Sequence, residues 1–190
     1  GRFHTPLQLL FPSRLIKEKG MEEVLEACRS LWSQGVALEL LVAGDLDTGN
    51  RSSLTSAELS ALRAEPRLRC LGHVSDMKAL YAASDIVVLP SWREGLSRAL
   101  IEAAAMERPI ITTDVPGCRD VVEHGRTGLL VPLQNGPAIA LAIRLLLEHP
   151  SLATQLGQQA RRKVVAEFQV SLVNDHTLSQ YRQLFADPIR

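Results

Sequence analysis

The stretch IVVLPSWREGLSRALIEAAAMERPIITT, Ile86–Thr113, decides how this chain folds. It begins with branched apolar residues that read as a strand over Ile86–Ser91, breaks at a loop carrying Trp92, Arg93 and Glu94, and turns at Gly95. An apolar-rich run of helical length follows over Leu96–Glu107, and a second strand reads at Pro109–Thr113. A strand that is apolar without alternation is buried on both faces, so the unit belongs to a parallel sheet with helices on either side.

The same alternation extends outward in both directions. Strands read at Leu7–Ser13, Val36–Gly44 and Leu68–Gly72, with helices over Gly20–Gly35, near Leu54–Ala64 and near Asp76–Ala83. A short strand reads at GLLVP, and from Gly136 the chain is helical to its end. The fold expected is α/β, a Rossmann-like three-layer sandwich with a mainly parallel sheet, right-handed crossovers and a helical C-terminal segment. No repeat or interdomain linker is visible, so residues 1–190 read as a single domain.

Composition narrows the function. Lys plus Arg equals Asp plus Glu at 21 each, so no overall field draws the chain to nucleic acid, and an anionic ligand has to be met locally. Cys28, Cys70 and Cys118 are odd in number and lack metal-type spacing, which favours a reducing compartment. No apolar run approaches the ~18 residues of a membrane span.

Ligands of open parallel sheets bind beyond the carboxyl ends of the strands. Three junctions lie there: Ser13–Gly20, Gly44–Asn50 and Ser91–Ser97. In the first, SRLIKEKG, Arg14 and Lys19 read either as a fork and a point charge for a diphosphate or as two solvated loop charges. In the third, Gly95 lets a ligand approach the backbone, and the unpaired N–H groups around Leu96 and Ser97 form an anion site at the helix start. Glu94 stands beside that site as an acceptor for sugar hydroxyls. Glu102 lies about 7–8 Å further along the helix than Ser97. The plainer readings are an Arg98–Glu102 surface pair and, for Glu94, a solvated acid near a helix N-terminus. Asp45-Leu46-Asp47 has the form of a metal-binding DxD but reads as loop chemistry. His73 stands at the binding edge; His4, His124, His149 and His176 read as loop or helix-surface residues, and Arg161-Arg162-Lys163 either as a membrane contact or, preferably, as a solvated cluster.

With SRLIKEKG upstream and YAASDIVVLPS between, EGLSRALIEAAAMERPIITTDVPGCRDVVEHGRTGLLVP resembles the donor-binding half of the retaining glycosyltransferases of the GT-B fold, and among them the bacterial surface-polysaccharide branch. The resemblance implies that Glu94 and Glu102 are the acids of an E-x7-E motif. Glu94, with the N–H groups of Gly95, Leu96 and Ser97, would face the transferred sugar and diphosphate, and Glu102 the ribose. Arg14 and Lys19 would neutralise the diphosphate, so that Glu94, Arg14 and Lys19 carry the chemistry with no metal and no cofactor. The donor implied is a UDP-sugar or GDP-sugar, and the acceptor a glycan or lipid-linked hydroxyl. That acceptor would be met through an N-terminal domain outside this chain, in a cytoplasmic enzyme or one held peripherally on the cytoplasmic face of the inner membrane.

Three departures from the family pattern stand out. Ser13 takes the place of a usual glycine before Arg-Leu, Glu107 that of a glycine after Ala-Met, and AGDLD that of a glycine-richer turn. A non-catalytic nucleotide-binding module and a sugar-nucleotide epimerase are the competing readings. The two-domain reading predicts that these 190 residues alone bind nucleotide weakly and transfer sugar poorly or not at all in a radiolabelled-donor assay; robust transfer would overturn it.

Overall fold

In a computed structural model describing residues 3–186, the Ile86–Thr113 stretch forms strand β4 (Ile86–Leu89), helix α4 (Arg98–Ala105) and strand β5 (Ile110–Thr113). Strand β4 stops at Leu89, where Pro90 has no N–H to continue the ladder. The remaining strands are β1 (Leu7–Pro12), β2 (Leu38–Ala43), β3 (Leu68–Gly72) and β6 (Leu129–Val131). They make one six-stranded sheet in the order β3-β2-β1-β4-β5-β6. Every pairing is parallel, so the mainly parallel sheet expected is parallel throughout.

The helices follow from local chemistry. Helix α1 (Met21–Ser33) leaves a short 3-10 turn at Lys17–Lys19. Thr55 and Glu58 form a reciprocal capping box at the start of α2 (Ser56–Arg63), and the Asp76 carboxylate caps α3 (Met77–Ala83). After the short α5 (Pro116–Arg119) come α6 (Gly136–Glu148), α7 (Pro150–Glu167) and α8 (Val170–Ala186). Helix α1 packs against α6, and α4 against α7. The core lies on both faces of the sheet; Leu9, Leu10, Phe11, Val87 and Val88 have no exposed surface. Such burial of apolar strands removes surface worth roughly 25 cal/mol per Å² from water.

Helix α4 is shorter than Leu96–Glu107 at both ends. At its C-terminus the chain reverses through Glu107, whose φ of 57° is left-handed. The Glu107 N–H donates to Ala104 at 3.0 Å and the Arg108 N–H to Ala103 at 3.0 Å, the two bonds of a Schellman cap. Glycine suits the left-handed residue of this cap, which accounts for the glycine of the family pattern at this position. Glutamate occupies it here at a backbone cost of about 1–2 kcal/mol. The exposed Glu107–Arg161 pair, 3.6 Å apart, offsets little of that. Glycine in turn has more freedom to lose on folding, about 0.5–1 kcal/mol. Glu107→Gly is therefore expected to stabilise the fold by about 0.5–1 kcal/mol, read as a higher urea midpoint at unchanged slope. A lower midpoint would contradict the assignment.

Candidate functional site

The strand order reverses between β1 and β4, and beside β1 lies β2. The loops after these three strands therefore stand side by side at the carboxyl edge of the sheet, at its topological switch point. They are the three junctions singled out above.

Two close backbone approaches shape this edge. Gly20 ends the 3-10 turn with a φ of 79°, and a β-carbon there would stand 2.5 Å from the Pro90 carbonyl oxygen. Gly117 of α5 lies under the next loop, where a β-carbon would stand 2.1 Å from the Gly95 carbonyl oxygen and 2.6 Å from that of Glu94. Gly95 itself is exposed, and a β-carbon on it would meet no protein atom within 4 Å. No neighbour in the fold requires a glycine there.

The Gly20 turn brings Lys19 to Glu94. Lys19 Nζ lies 2.5 Å from Glu94 Oε1, with the side chains 16% and 11% exposed. The buried Ser91 hydroxyl donates to the same oxygen at 2.8 Å. Glu94 Oε2 has no hydrogen-bond partner among the described residues. The buried Thr113 hydroxyl donates to the Ser91 carbonyl, tying this loop to β5. Arg14 faces the neighbouring loop and pairs with Asp47, the second acid of Asp-Leu-Asp. Both expected cations are thus at the edge, and each is paired with an acid from an adjacent loop.

A strap holds the loop carrying Glu94. The Trp92 N–H donates to the Glu18 carbonyl at 2.8 Å, and the indole N–H donates to Glu23 at 2.9 Å. The Glu18 carboxylate accepts from Ser52 at 2.7 Å and from Arg93 at 3.1 Å. The Ser52 hydroxyl, the backbone at Glu18 and the Arg93 charge hold its pKa below the usual carboxylate range. The contribution of Glu18 is present above the usual carboxylate range and fades as the pH falls from there through the lowered folded value, where the acid protonates and its charge beside Arg93 is lost.

Ser97 is the buried N-cap of α4, Leu96 beside it is half exposed, and the helix begins at Arg98. Its first-turn N–H groups are free of intrahelical partners by geometry. One turn on, Glu102 is not buried: its side chain is 43% exposed, 3.8 Å from Arg98. The apolar neighbours in sequence face the core, and the acid stays on the open side. Its other oxygen lies 3.4 Å from the Tyr81 hydroxyl, which also donates to the Ala99 carbonyl at 3.1 Å. Burial, with the Glu102 charge beside it, raises the Tyr81 pKa well above its ordinary value and keeps the phenol a donor. Glu102, Tyr81, Met77 and Met106 line a groove of about 440 Å³ between α3 and α4.

The sequence assigned no role to Tyr81, Ser91, Trp92 or Glu18, nor a partner in Asp47 to Arg14. Tyr81 and Ser91 lie within YAASDIVVLPS, but their use depends on contacts across the fold. His73 is exposed, as are His4, His124 and His149; the side chain of His176 lies outside the described residues. Arg161 and Lys163 have acidic partners in Glu107, Glu123 and Glu167. No helix is long and apolar enough to cross a membrane among the described residues.

A Rossmann-like parallel sheet with paired cations and acids at its switch point has the architecture of one half of a GT-B glycosyltransferase. The chain belongs to the glycosyl transferases group 1 family, whose match covers residues 1–163. It is 33% identical over 171 residues to the capsular polysaccharide biosynthesis glycosyltransferase CapM of Staphylococcus aureus, covering 90% of this chain and 44% of that protein. The Anabaena HepE structure in complex with UDP and glucose has a TM-score of 0.84 at 23% identity, over 94% of this chain and 48% of that one. The C-terminal domain of the group 1 family protein LpcC from Francisella tularensis has a TM-score of 0.71 at 20% identity, over 86% of this chain and 87% of that one. The chain spans less than half the length of CapM.

The support beneath the Glu94 loop has a measurable consequence. Gly117→Ala forces a backbone contact apart and is expected to cost about 1–3 kcal/mol of stability in urea unfolding. Unchanged stability would show that α5 does not brace this loop.

Proposed function

We propose that this chain is the donor-binding domain of a retaining hexosyltransferase. It would bind a nucleotide-diphosphate sugar and present it to an acceptor hydroxyl on a glycan or lipid-linked sugar, in polysaccharide, lipopolysaccharide or glycolipid biosynthesis. The observation that carries this reading is the meeting of Lys19 and Glu94, from loops 75 positions apart in the chain, beside the open backbone at Gly95. The relationship to CapM supports the polysaccharide context. The chain's share of CapM's length and its match to a C-terminal domain support a single-domain piece whose acceptor is met elsewhere in the enzyme.

In the free domain Lys19 and Glu94 neutralise one another. A donor offers each a new partner, the diphosphate oxygens for the lysine and the sugar hydroxyls for the glutamate. Arg14 and the N–H groups at the start of α4 add to the field on the phosphates. Negative charge grows on the leaving diphosphate as the anomeric bond breaks, and these fixed donors stabilise it without reorganisation. No metal is needed on this reading, because the chain's own cations occupy the position of charge development. The anomeric carbon keeps its configuration, and the enzyme works in the cytoplasm or at its membrane face.

Glu102 takes the ribose hydroxyls, with the Tyr81 phenol holding one carboxylate oxygen. Hydrogen bonds to a charged group are worth about 1.5–3 kcal/mol. Glu102→Ala is therefore expected to weaken UDP or GDP binding about 10-fold or more in calorimetric titration, and to erase discrimination against the 2′,3′-dideoxy analogue. Unchanged affinity would remove Glu102 from the site.

A further inference from the structure

The donor-site reading leaves Asp47, which faces Arg14 at the switch point, without a use. Asp47 contacts Arg14 from the loop after β2, within the AGDLD turn that departs from the family's glycine-richer sequence. Its backbone is fixed on both sides. The Asp47 N–H donates to the Ser53 hydroxyl at 3.0 Å, and its carbonyl accepts from Asn50 at 2.8 Å. That loop is in turn stitched to the Arg14 segment. Leu15 donates to the Asp45 carbonyl at 2.9 Å, Lys17 to Ser52 at 2.8 Å, and Leu54 to Leu15 at 2.9 Å. The carboxylate is therefore a standing feature of the Arg14 environment, held by main-chain bonds on two loops.

We infer that Asp47 is a specificity residue that makes the diphosphate subsite discriminate by charge, favouring the nucleotide-sugar conjugate over the free nucleoside diphosphate. The inference rests on the donor-site reading above. Asp47 has two opposing effects. It orients the Arg14 guanidinium, and it repels any anion that Arg14 attracts. Orientation contributes little here, because the Arg14 side chain is 62% exposed and that of Asp47 25%, and exposed pairs are weak. Repulsion grows with the charge of the ligand. A diphosphate esterified at both ends carries about two negative charges. Release of the sugar exposes a terminal phosphate whose second ionisation, near pKa 6, adds most of a third at neutral pH. Asp47 therefore penalises the nucleoside diphosphate product more than the donor, which speeds clearance of the site after transfer.

The test compares the native chain with Asp47→Asn and Asp47→Ser, both of which remove the charge and keep a polar side chain. Each is titrated at low salt with pyrophosphate, UDP, UDP-glucose, GDP, GDP-mannose and uridine, by calorimetry or amide NMR. Pyrophosphate and the preferred nucleoside diphosphate are expected to bind about 3–10-fold tighter to both variants. The matching sugar conjugate gains less, and uridine does not change. Equal gains for conjugate and free diphosphate, or no gain with either variant, would overturn the inference. Arg14→Ala and Lys19→Met separate the two levels. If neither weakens pyrophosphate binding, or if no probe binds the native chain, the donor-site reading fails and this inference with it. If both weaken it while the Asp47 variants gain nothing, only the role of Asp47 is lost.

Discussion

The turn at Gly20 lies so close to the end of β4 that a β-carbon there would stand 2.5 Å from the Pro90 carbonyl oxygen. Two things follow from that approach. The left-handed backbone aims the chain from the 3-10 turn directly into α1, and Lys19 just before it comes within 2.5 Å of Glu94. The same loops are also joined by the Trp92 N–H to the Glu18 carbonyl and by Arg93 to the Glu18 carboxylate. Sheet order supplies the neighbourhood, and the missing side chain at Gly20 closes the remaining distance.

The ion pairs of Lys19 and Arg14 at this edge run between loops. Lys19 meets Glu94 and Arg14 meets Asp47, so the β1 loop supplies the cations while the β4 and β2 loops supply the acids. Glu18 extends the scheme by joining the β2 loop through Ser52 and the β4 loop through Arg93. The three loops thereby form one connected surface. A ligand that takes one cation also changes the surroundings of an acid on the next loop.

The fold was legible because its strands are continuous Val/Ile/Leu runs separated by helical lengths, a local property that survives in the order of residues. The ends of α4 were less so: the buried N-cap Ser97 and the left-handed Glu107 set them, and nothing in the identity of a glutamate announces a positive φ. The site was legible as three junctions, since strand ends can be read from the pattern. Which cation meets which acid was not, because the pairing depends on strand order and on loops 33 and 75 positions apart. Glu102 shows the same limit from the other side. Its apolar sequence neighbours imply burial, whereas the helix turns them inward and leaves the acid half exposed.

The Lys19–Glu94 pair also bears on kinetics. Two nearly buried charges that cancel one another cast little field into solvent, and the formal charge of the whole chain is zero. An anionic donor would then arrive by ordinary diffusion rather than along a guiding potential, at rates that depend weakly on ionic strength. Discrimination among ligands falls to the lifetime of the bound state, after the lysine and the glutamate have exchanged each other for parts of the same molecule.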